Sequence, residues 1–224
     1  MTAPKVTIIV LNYVRWQDTE ECVRSLQRST YPRTELLLVD NASPNDSEEQ
    51  LRKSFPKTPV LQTGANLGYT GGVNFGIRYA MNGGPDYLLV LNPDTTVDPG
   101  FLDHLVEAME RDQKAGVACG TIFEYPGRAS IWYAGGSFVW WRASGFSNTS
   151  PLELSRREVR PVSFATGCMM LFRTSALRDV GHFDERFFMY LEDTEICLRL
   201  QSRGFRVLYV PESTIMHKVS RGRT

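Results

Sequence analysis

Three short runs of the chain are rich in apolar residues without alternation, and each is followed by polar residues. They are VTIIVL at 6–11, ELLLVD at 35–40 and DYLLVLN at 86–92. Continuous apolar runs are typical of strands that are covered on both faces, as in a parallel sheet. Because the stretches between them carry apolar residues at helical spacing, the pattern predicts βαβ units and an α/β fold.

Local signals predict where the helices begin. Two pairs have the spacing of a capping box, Asp18 with Glu21 and Asp46 with Glu49. Asp98 as an N-cap, with Pro99 at the first helical position, predicts a further helix. A weaker strand is expected at 59–63, before the glycine-rich segment NLGYTGGVNFG, which opens another helix.

The pattern changes after residue 116. Longer β-rich runs at 117–125, 132–141 and 161–173 surround a serine-rich stretch at 143–158, which predicts a mixed sheet with an irregular insertion. A short helix near 175–180, a helix at 192–203 and a last strand at 206–210 complete the expected elements. The chain is predicted to form one domain.

Net charge and cysteine content indicate which partners and which cellular compartment to expect. Lys plus Arg and Asp plus Glu each total 25, so the chain has no net charge to attract a polyanion, which argues against nucleic acid. The cysteines, which form no C-x-x-C pair, are predicted to be buried thiols in a reducing compartment. They are Cys22, Cys119, Cys168 and Cys197.

The N-terminal apolar run is too short for a signal peptide and far below the roughly 20 residues of a membrane-spanning helix. We therefore expect a cytoplasmic protein, which still allows work at the inner face of the cell membrane. The basic tail KVSRGRT leaves two interpretations open, a peripheral contact with anionic lipid or, as we favour, a solvated segment.

The first candidate site lies where the predicted strands end. Ligands of open α/β sheets bind beyond the carboxyl ends of the strands. Here those ends carry Asn12 with Tyr13, Asp40 with Asn41, and Asn92 with Asp94. Asn and Asp also form turns, so each position has a structural alternative. The carboxylate of Asp94 is the kind of oxygen ligand by which Mg²⁺ or Mn²⁺ is held against a diphosphate.

Three further features carry candidate chemistry, each beside a structural alternative. The glycine-rich segment either binds an anion at a helix start or permits close packing, and it matches neither the Rossmann nor the Walker motif. Glu192 and Asp193 are either a proton acceptor or a charged first turn. The apolar residues FFMYL before them predict burial around the carboxylates. His217 is either a metal ligand or a structural histidine.

Aromatic residues are concentrated in the second half of the chain. Trp132, Trp140 and Trp141 are the most prominent of them. Aromatic faces stack on sugar rings, which makes these tryptophans candidates for an acceptor site, but the same residues form hairpin cores, which is the interpretation that we favour.

Six segments of the chain, taken in order, form a recognisable set. They are TIIVLNY, VDNAS, NLGYTGGVNFG, LNPD, ATGCMMLFR and FFMYLEDTEICLRLQSRGFRVLYVPESTIMH. Together they resemble family 2 glycosyltransferases of the GT-A fold, and most closely the bacterial rhamnosyltransferase-like branch. The resemblance implies a Rossmann-like mixed central sheet flanked by helices. It also implies one catalytic domain over 1–224, with a nucleotide-sugar-binding half (1–116) and an acceptor and catalytic half (117–224).

The resemblance also assigns roles to residues. Asp193 is implied as the general base, with Glu192 beside it, and Asp94 and His217 as ligands of Mg²⁺ or Mn²⁺. The implied nucleotide-binding residues are Asn12, Tyr13, Asp40, Asn66, Asn74 and Asn92. Asn92 is a departure, because it replaces the first carboxylate of the usual D-x-D motif. The chain also ends seven residues after His217, where relatives usually continue.

The implied reaction is inverting transfer of a sugar, with rhamnose as the candidate, from a dTDP- or UDP-sugar. The acceptor is a hydroxyl of a glycan or lipid-linked acceptor in bacterial cell-surface polysaccharide synthesis. Two alternatives remain. One is a sugar-phosphate nucleotidyltransferase, although its glycine-rich signature with basic residues is missing. The other is a nucleotide-sugar-binding domain without catalysis. This alternative is favoured by Asn92 in place of a carboxylate and by the few residues after His217.

Overall fold

A computed structural model describes residues 2–139 and 144–218 of the chain. In chain order the strands and helices are β1 (Val6–Asn12), α1 (Trp16–Leu26), β2 (Thr34–Asp40), α2 (Ser47–Ser54), β3 (Val60–Gln62), α3 (Gly68–Met81), β4 (Tyr87–Leu91), β5 (Thr95–Val97), α4 (Phe101–Arg111), β6 (Ala115–Glu124), β7 (Ile131–Tyr133), β8 (Gly136–Val139), β9 (Ser144–Ser147), β10 (Arg160–Pro161), β11 (Met169–Arg173), α5 (Thr174–Val180), α6 (Glu192–Ser202) and β12 (Arg206–His217). A 3₁₀ helix covers Pro151–Ser155.

One mixed sheet forms the centre of the described residues. Its main path runs β10, β12, β6, β11, β4, β1, β2, β3, while β5 pairs with β12 and β7 with β6. The pairs β1–β2, β1–β4, β2–β3 and β6–β12 are parallel, and β11 is antiparallel to both of its neighbours. A separate hairpin joins β8 and β9. The mixed α/β architecture predicted from the sequence is thus confirmed.

The central strands are buried because helices cover both faces of the sheet. All residues of β1 and β4 are buried, as their unbroken apolar sequences predict. Two glycines let α3 approach the sheet closely: a Cβ on Gly76 would lie 2.8 Å from Ile9 Cγ2, and one on Gly72 2.6 Å from Leu11 Cδ1. Close packing therefore explains these glycines.

Two of the predicted helix starts are wrong. Helix α1 begins at Trp16 after Arg15, so Asp18 lies inside the first turn and caps nothing. Helix α4 begins at Phe101 after Gly100, beyond both Asp98 and Pro99. In each case the carboxylate is bound by side chains that are distant in the sequence: Lys218 binds Asp18, and Arg128 and Thr214 bind Asp98.

At the start of α2 the predicted N-cap, Asp46, is in place, but its side chain makes no capping bond. Asn45 Oδ1 instead accepts from the backbone N–H of Ser47 at 3.3 Å.

The second half also differs from its prediction in two places. The run 161–173 is interrupted, because only Arg160–Pro161 and Met169–Arg173 are strands and the residues between them form turns and loops. The last strand continues past residue 210 to His217, with an irregularity between Val210 and Thr214. Trp140 and Trp141 lie outside the described residues.

The four cysteines are buried and unpaired, as predicted. None of the helices described here has the length and apolar character needed to cross a membrane.

Candidate active site

The ends of β1 and β2 lie side by side and share a buried polar network. Asn12 is paired with Asp40 in the parallel register, and both are fully buried. Asn12 Nδ2 donates to Asp40 Oδ1 at 2.7 Å, and Asn12 Oδ1 accepts from Thr19 Oγ1 at 2.7 Å. The predicted convergence of these strand ends is therefore confirmed, and the network ties them to α1.

Asp40 organises the loop that follows its strand. Its carboxylate accepts from the backbone N–H and hydroxyl of Ser43 at 2.9 and 2.6 Å, and from Gln62 Nε2 at 3.0 Å. With Asn12 added, four protein donors already surround the two oxygens. This geometry favours an indirect role for Asp40, whereas the neighbouring Tyr13 is 43% exposed and accessible to a ligand.

The glycine-rich segment is held by Asn41, a strand-end residue to which the sequence assigned no specific role. Asn41 Oδ1 accepts from the backbone N–H of Leu67 at 3.1 Å, and its Nδ2 donates to the carbonyl of Gly68 at 3.0 Å and to Asn66 Oδ1 at 3.1 Å. Asn66 in turn accepts from the N–H of Gly68, and Tyr69 N–H donates to the carbonyl of Phe188. The N–H groups of Gly68 and Tyr69, the first two of α3, are thus satisfied by protein, which favours close packing over the anion-binding alternative.

Asn74 faces the protein interior, where the resemblance implied nucleotide contact. It is 2% exposed, and its amide makes a paired contact with the backbone of Phe183, donating at 2.8 Å and accepting at 3.1 Å. Its Nδ2 also lies 3.0 Å from Glu185 Oε1, which Arg78 binds as well. Asn74 therefore fastens the segment before α6 to α3, because its amide oxygen and nitrogen are already used.

Asp94 and His217 form a close pair at the same edge of the sheet. β5 and β12 run antiparallel with Thr95 opposite His217, and this register brings the imidazole Nε2 to 3.1 Å from Asp94 Oδ1. Trp132 packs edge-on against the imidazole with ring centroids 4.7 Å apart. Burial acts to raise the pKa of Asp94, but the hydrogen bond and charge of His217 outweigh it and hold the pKa below its usual value.

The pair has properties that suit a divalent cation bound together with a substrate. His217 Nδ1 is buried and has no hydrogen-bond partner. Among the described residues no group of three or more His, Cys, Asp or Glu side chains could hold a metal by itself. Mg²⁺ is commonly bound through one or two carboxylates plus substrate phosphates, so two protein ligands suffice for such a site. Asn92, the replaced carboxylate, is half-buried two residues before Asp94.

A turn at Thr166–Cys168 links this pair to the carboxylate of Asp193. The N–H of Gly167 donates to Asp193 Oδ2 at 3.0 Å, and the carbonyl of Cys168 accepts from the N–H of Asn92 at 3.0 Å. Tyr69 OH donates to the carbonyl of Gly167 at 2.7 Å. The turn therefore places Asp193 at the edge where β4 ends, and Tyr69 is a residue that the sequence did not single out.

Glu192 is the most strongly perturbed carboxyl of the site. The residue is 5% exposed, and its Oε2 is buried without a hydrogen-bond partner. Burial raises the pKa of Glu192 to about 7; backbone N–H groups act against this shift and the charge of Asp193 adds to it. A carboxyl that titrates near neutrality beside a half-buried carboxylate is typical of sites that move protons.

The apolar segment before α6 is itself largely exposed, whereas the predicted burial at the carboxylates is found at Glu192, which is 5% exposed. Phe188, Met189, Tyr190 and Leu191 are 59, 49, 62 and 63% exposed. Tyr190 and Leu191 have positive φ angles of 74° and 72°, so the backbone turns sharply just before Glu192. Gly68 permits the approach of this segment to α3, because a Cβ there would lie 2.5 Å from the carbonyl oxygen of Phe188.

Comparison with known proteins identifies the family. Residues 7–181 match the sequence profile of Glycosyl transferase family 2. The chain belongs to this family. It is 30% identical over 229 residues to N-acetylglucosaminyl-diphospho-decaprenol L-rhamnosyltransferase of Mycobacterium tuberculosis, covering 94% of this glycosyltransferase and 75% of the relative. It is 28% identical to the O-antigen biosynthesis protein RfbC of Myxococcus xanthus, over 98% of this chain but 18% of the relative.

The fold of this family 2 glycosyltransferase also agrees with solved GT-A structures. The crystal structure of GalNAc-T7 with UDP, GalNAc and Mn²⁺ superimposes with a TM-score of 0.80 at 18% identity. The match covers 96% of this chain and 44% of GalNAc-T7. The likeness shows a shared GT-A fold, as the six sequence segments imply.

Proposed function

We propose that this glycosyltransferase catalyses inverting transfer of a sugar from a nucleoside-diphosphate sugar to an acceptor hydroxyl. One observation carries the proposal: the turn at 166–168 contacts both the Asp193 carboxylate and the end of β4. Its contact at the end of β4 is the N–H of Asn92, two residues before Asp94, which pairs with His217. A proton acceptor and a pair of metal ligands thus share one edge of the sheet, where α/β ligands bind. Asp94 comes from the proposed donor half (1–116), and His217 and Asp193 from the proposed acceptor half (117–224).

Each group has one task in the reaction. Asp94 and His217 would hold Mg²⁺ or Mn²⁺, which when bound neutralises the negative charge of the departing diphosphate. Asp193 accepts the proton of the acceptor hydroxyl on its carboxylate, which the N–H of Gly167 orients. The hydroxyl oxygen bonds to the anomeric carbon while the bond from that carbon to the diphosphate oxygen breaks, so one base suffices.

The rhamnosyltransferase relative supports rhamnose as the first candidate for the transferred sugar, and a dTDP- or UDP-sugar is the proposed donor. The relative is named for a diphospho-decaprenol acceptor, which supports a lipid-linked acceptor here, and the proposed reaction belongs to cell-surface glycan synthesis at the inner face of the membrane. The exposed apolar residues 188–191 lie directly before the carboxylates and are the surface over which such an acceptor would approach.

A transfer assay tests the proposal. Purified protein is given dTDP-rhamnose or a UDP-sugar, an acceptor and Mn²⁺, and both glycosylated product and free nucleoside diphosphate are measured. Asp193→Asn and Asp94→Ala are expected to abolish turnover. Glu195→Gln, on the first turn of α6 and paired with Arg199, is the matched control and should stay active. Full activity of Asp193→Asn would refute the assigned base.

The same assay separates the alternatives. Release of pyrophosphate from a nucleoside triphosphate and a sugar phosphate would indicate a nucleotidyltransferase. Nucleotide binding without transfer to any acceptor would indicate a binding domain without catalysis.

A further inference from the structure

Lys218, directly after β12, reaches across to helix α1. Its Nζ donates to Asp18 Oδ1 at 2.7 Å and to Glu21 Oε2 at 2.5 Å. The side chains of Lys218 and Asp18 are only 18 and 12% exposed. Asp18 also pairs with Arg15, whose Nη2 lies 2.6 Å from Oδ2. Two carboxylates and two cations thus form a compact cluster between the end of β12 and α1, in which Lys218 and Asp18 are mostly buried and Arg15 and Glu21 are about half exposed.

The main chain of the same segment is fixed at the metal-ligand pair. The N–H of Lys218 donates to the carbonyl of Asp94 at 2.8 Å, and the carbonyl of His217 accepts from the N–H of Tyr125 at 2.9 Å. The peptide unit between His217 and Lys218 is therefore bonded at both of its polar groups. Successive side chains of an extended strand point in opposite directions, so Lys218 can bind α1 without entering the space beside the His217 imidazole.

We propose that Lys218 is a positioning residue: its ion pairs with Asp18 and Glu21 hold the end of β12 so that the His217 imidazole stays against Asp94, and they thereby set the affinity of the site for a divalent cation. The inference rests on the metal-binding role of Asp94 and His217 in the proposed function. It adds three residues that support the metal ligands without contacting the cation: Asp18 and Glu21 on α1, and Lys218 after β12. None of the three belongs to the D-x-D segment.

Charge explains why this contact matters. An exposed ion pair contributes little, but removing one partner of a mostly buried pair such as Lys218 and Asp18 weakens the compensation of the remaining buried charge. Without the ammonium group, Asp18 and Glu21 would face one another with Arg15 as the remaining cation beside Asp18. The end of β12 would then lose its attachment to α1, while the pairing of His217 with β5 and β6 remains.

The test is a Mn²⁺ titration of the full chain with dTDP or UDP present, counting free Mn²⁺ by electron paramagnetic resonance. Groups that orient metal ligands typically change metal affinity 10–100-fold when mutated. We expect Lys218→Met to weaken Mn²⁺ binding about tenfold, and Lys218→Arg to restore most of it because a guanidinium can pair with both carboxylates. Lys5→Met is the matched control, since Lys5 is also 18% exposed and pairs with Glu35 at 2.8 Å, before the start of β1.

The outcomes are distinct. Equal Mn²⁺ affinity of wild type and Lys218→Met overturns the positioning role while leaving the metal site intact. A wild type that binds no Mn²⁺ with either nucleotide overturns the metal role in the proposed function and this inference with it. If Lys218→Met fails to fold, Glu21→Gln, at a carboxylate that is 44% exposed, replaces it and should weaken Mn²⁺ binding in the same direction by a smaller factor.

Discussion

The replacement Glu192→Gln should make the protein more stable at alkaline pH, although it removes a charged residue of the site. The native carboxyl is buried, and its pKa is raised from 4.5 to about 7. A raised pKa means that the native state binds the proton more tightly than the unfolded chain does. The resulting stabilisation is fully present below pH 4.5 and is lost as the pH rises through about 7.

The magnitude follows from the shift. One pKa unit corresponds to about 1.4 kcal/mol, so a rise from 4.5 to about 7 makes the penalty at pH 8 at most about 3 kcal/mol. Glutamine has the shape of the protonated acid and carries no charge at any pH. The free energy of unfolding of Glu192→Gln should therefore exceed that of wild type by less than about 1 kcal/mol near pH 5 and by about 1–3 kcal/mol at pH 8.

Urea unfolding at pH 5, 6, 7 and 8 measures this difference directly, provided that the slopes of the two proteins agree. In thermal unfolding, a gain of about 3 kcal/mol corresponds to roughly 6–12 °C for a domain of this size. Glu195→Gln is the control, because it removes a carboxylate of the same helical turn that is paired with Arg199, and it should show no gain. A difference between Glu192→Gln and wild type that stays constant from pH 5 to pH 8 would show that Glu192 is ionised throughout.

Three further predictions concern packing, the fastening of the segment before α6 and the acceptor side. Gly76→Ala should destabilise the fold by about 1–3 kcal/mol in urea unfolding, because its Cβ would lie 2.8 Å from Ile9 Cγ2, whereas Gly100→Ala, whose nearest atom is 3.8 Å away, should cost far less. Asn74→Ala should lose about 1–3 kcal/mol of stability, because the Asn74 amide binds the backbone of the segment before α6. It should also lower kcat without changing the KM for the donor. A higher donor KM with unchanged kcat would instead indicate that Asn74 binds the nucleotide. Phe188→Ser should impair transfer to a lipid-linked acceptor more than transfer to a short water-soluble acceptor. Leu152→Ser, at a position that is 73% exposed and outside the site, is the control and should impair neither transfer. Equal loss of activity of Phe188→Ser on both acceptors would contradict the acceptor role of residues 188–191.

Much of the fold could be predicted because the central strands are buried on both faces and their sequences are correspondingly apolar. The positions of the strand-end residues followed from this, since parallel neighbours end at one edge. The turn at 166–168 could not be predicted in this way. Its sequence, ATGC, lies inside an apolar run, and what interrupts the strand is the contact of Gly167 with Asp193 and Tyr69, which are distant in the sequence.

The errors have the same physical origin. Asp18 and Glu21 have the spacing of a capping box, but Lys218 binds both carboxylates. The composition of residues 187–191 indicates burial, whereas the positive φ angles of Tyr190 and Leu191 accompany a turn that leaves their side chains exposed. Local patterns report what a segment favours by itself, and these segments are decided by partners far along the chain.

The position of β12 in the sheet has a consequence for how the enzyme is made. This strand follows every other described strand in the sequence, yet it lies between β6 and β10 and carries His217 at its end. A chain emerging from the ribosome can form the β1–β2–β4 region early, but β6 keeps an open edge until β12 is synthesised. The nascent protein therefore acquires the second of the two proposed metal ligands in the same step that closes this edge. If these residues bind a divalent cation, capture of that cation would report that β12 has paired with β6.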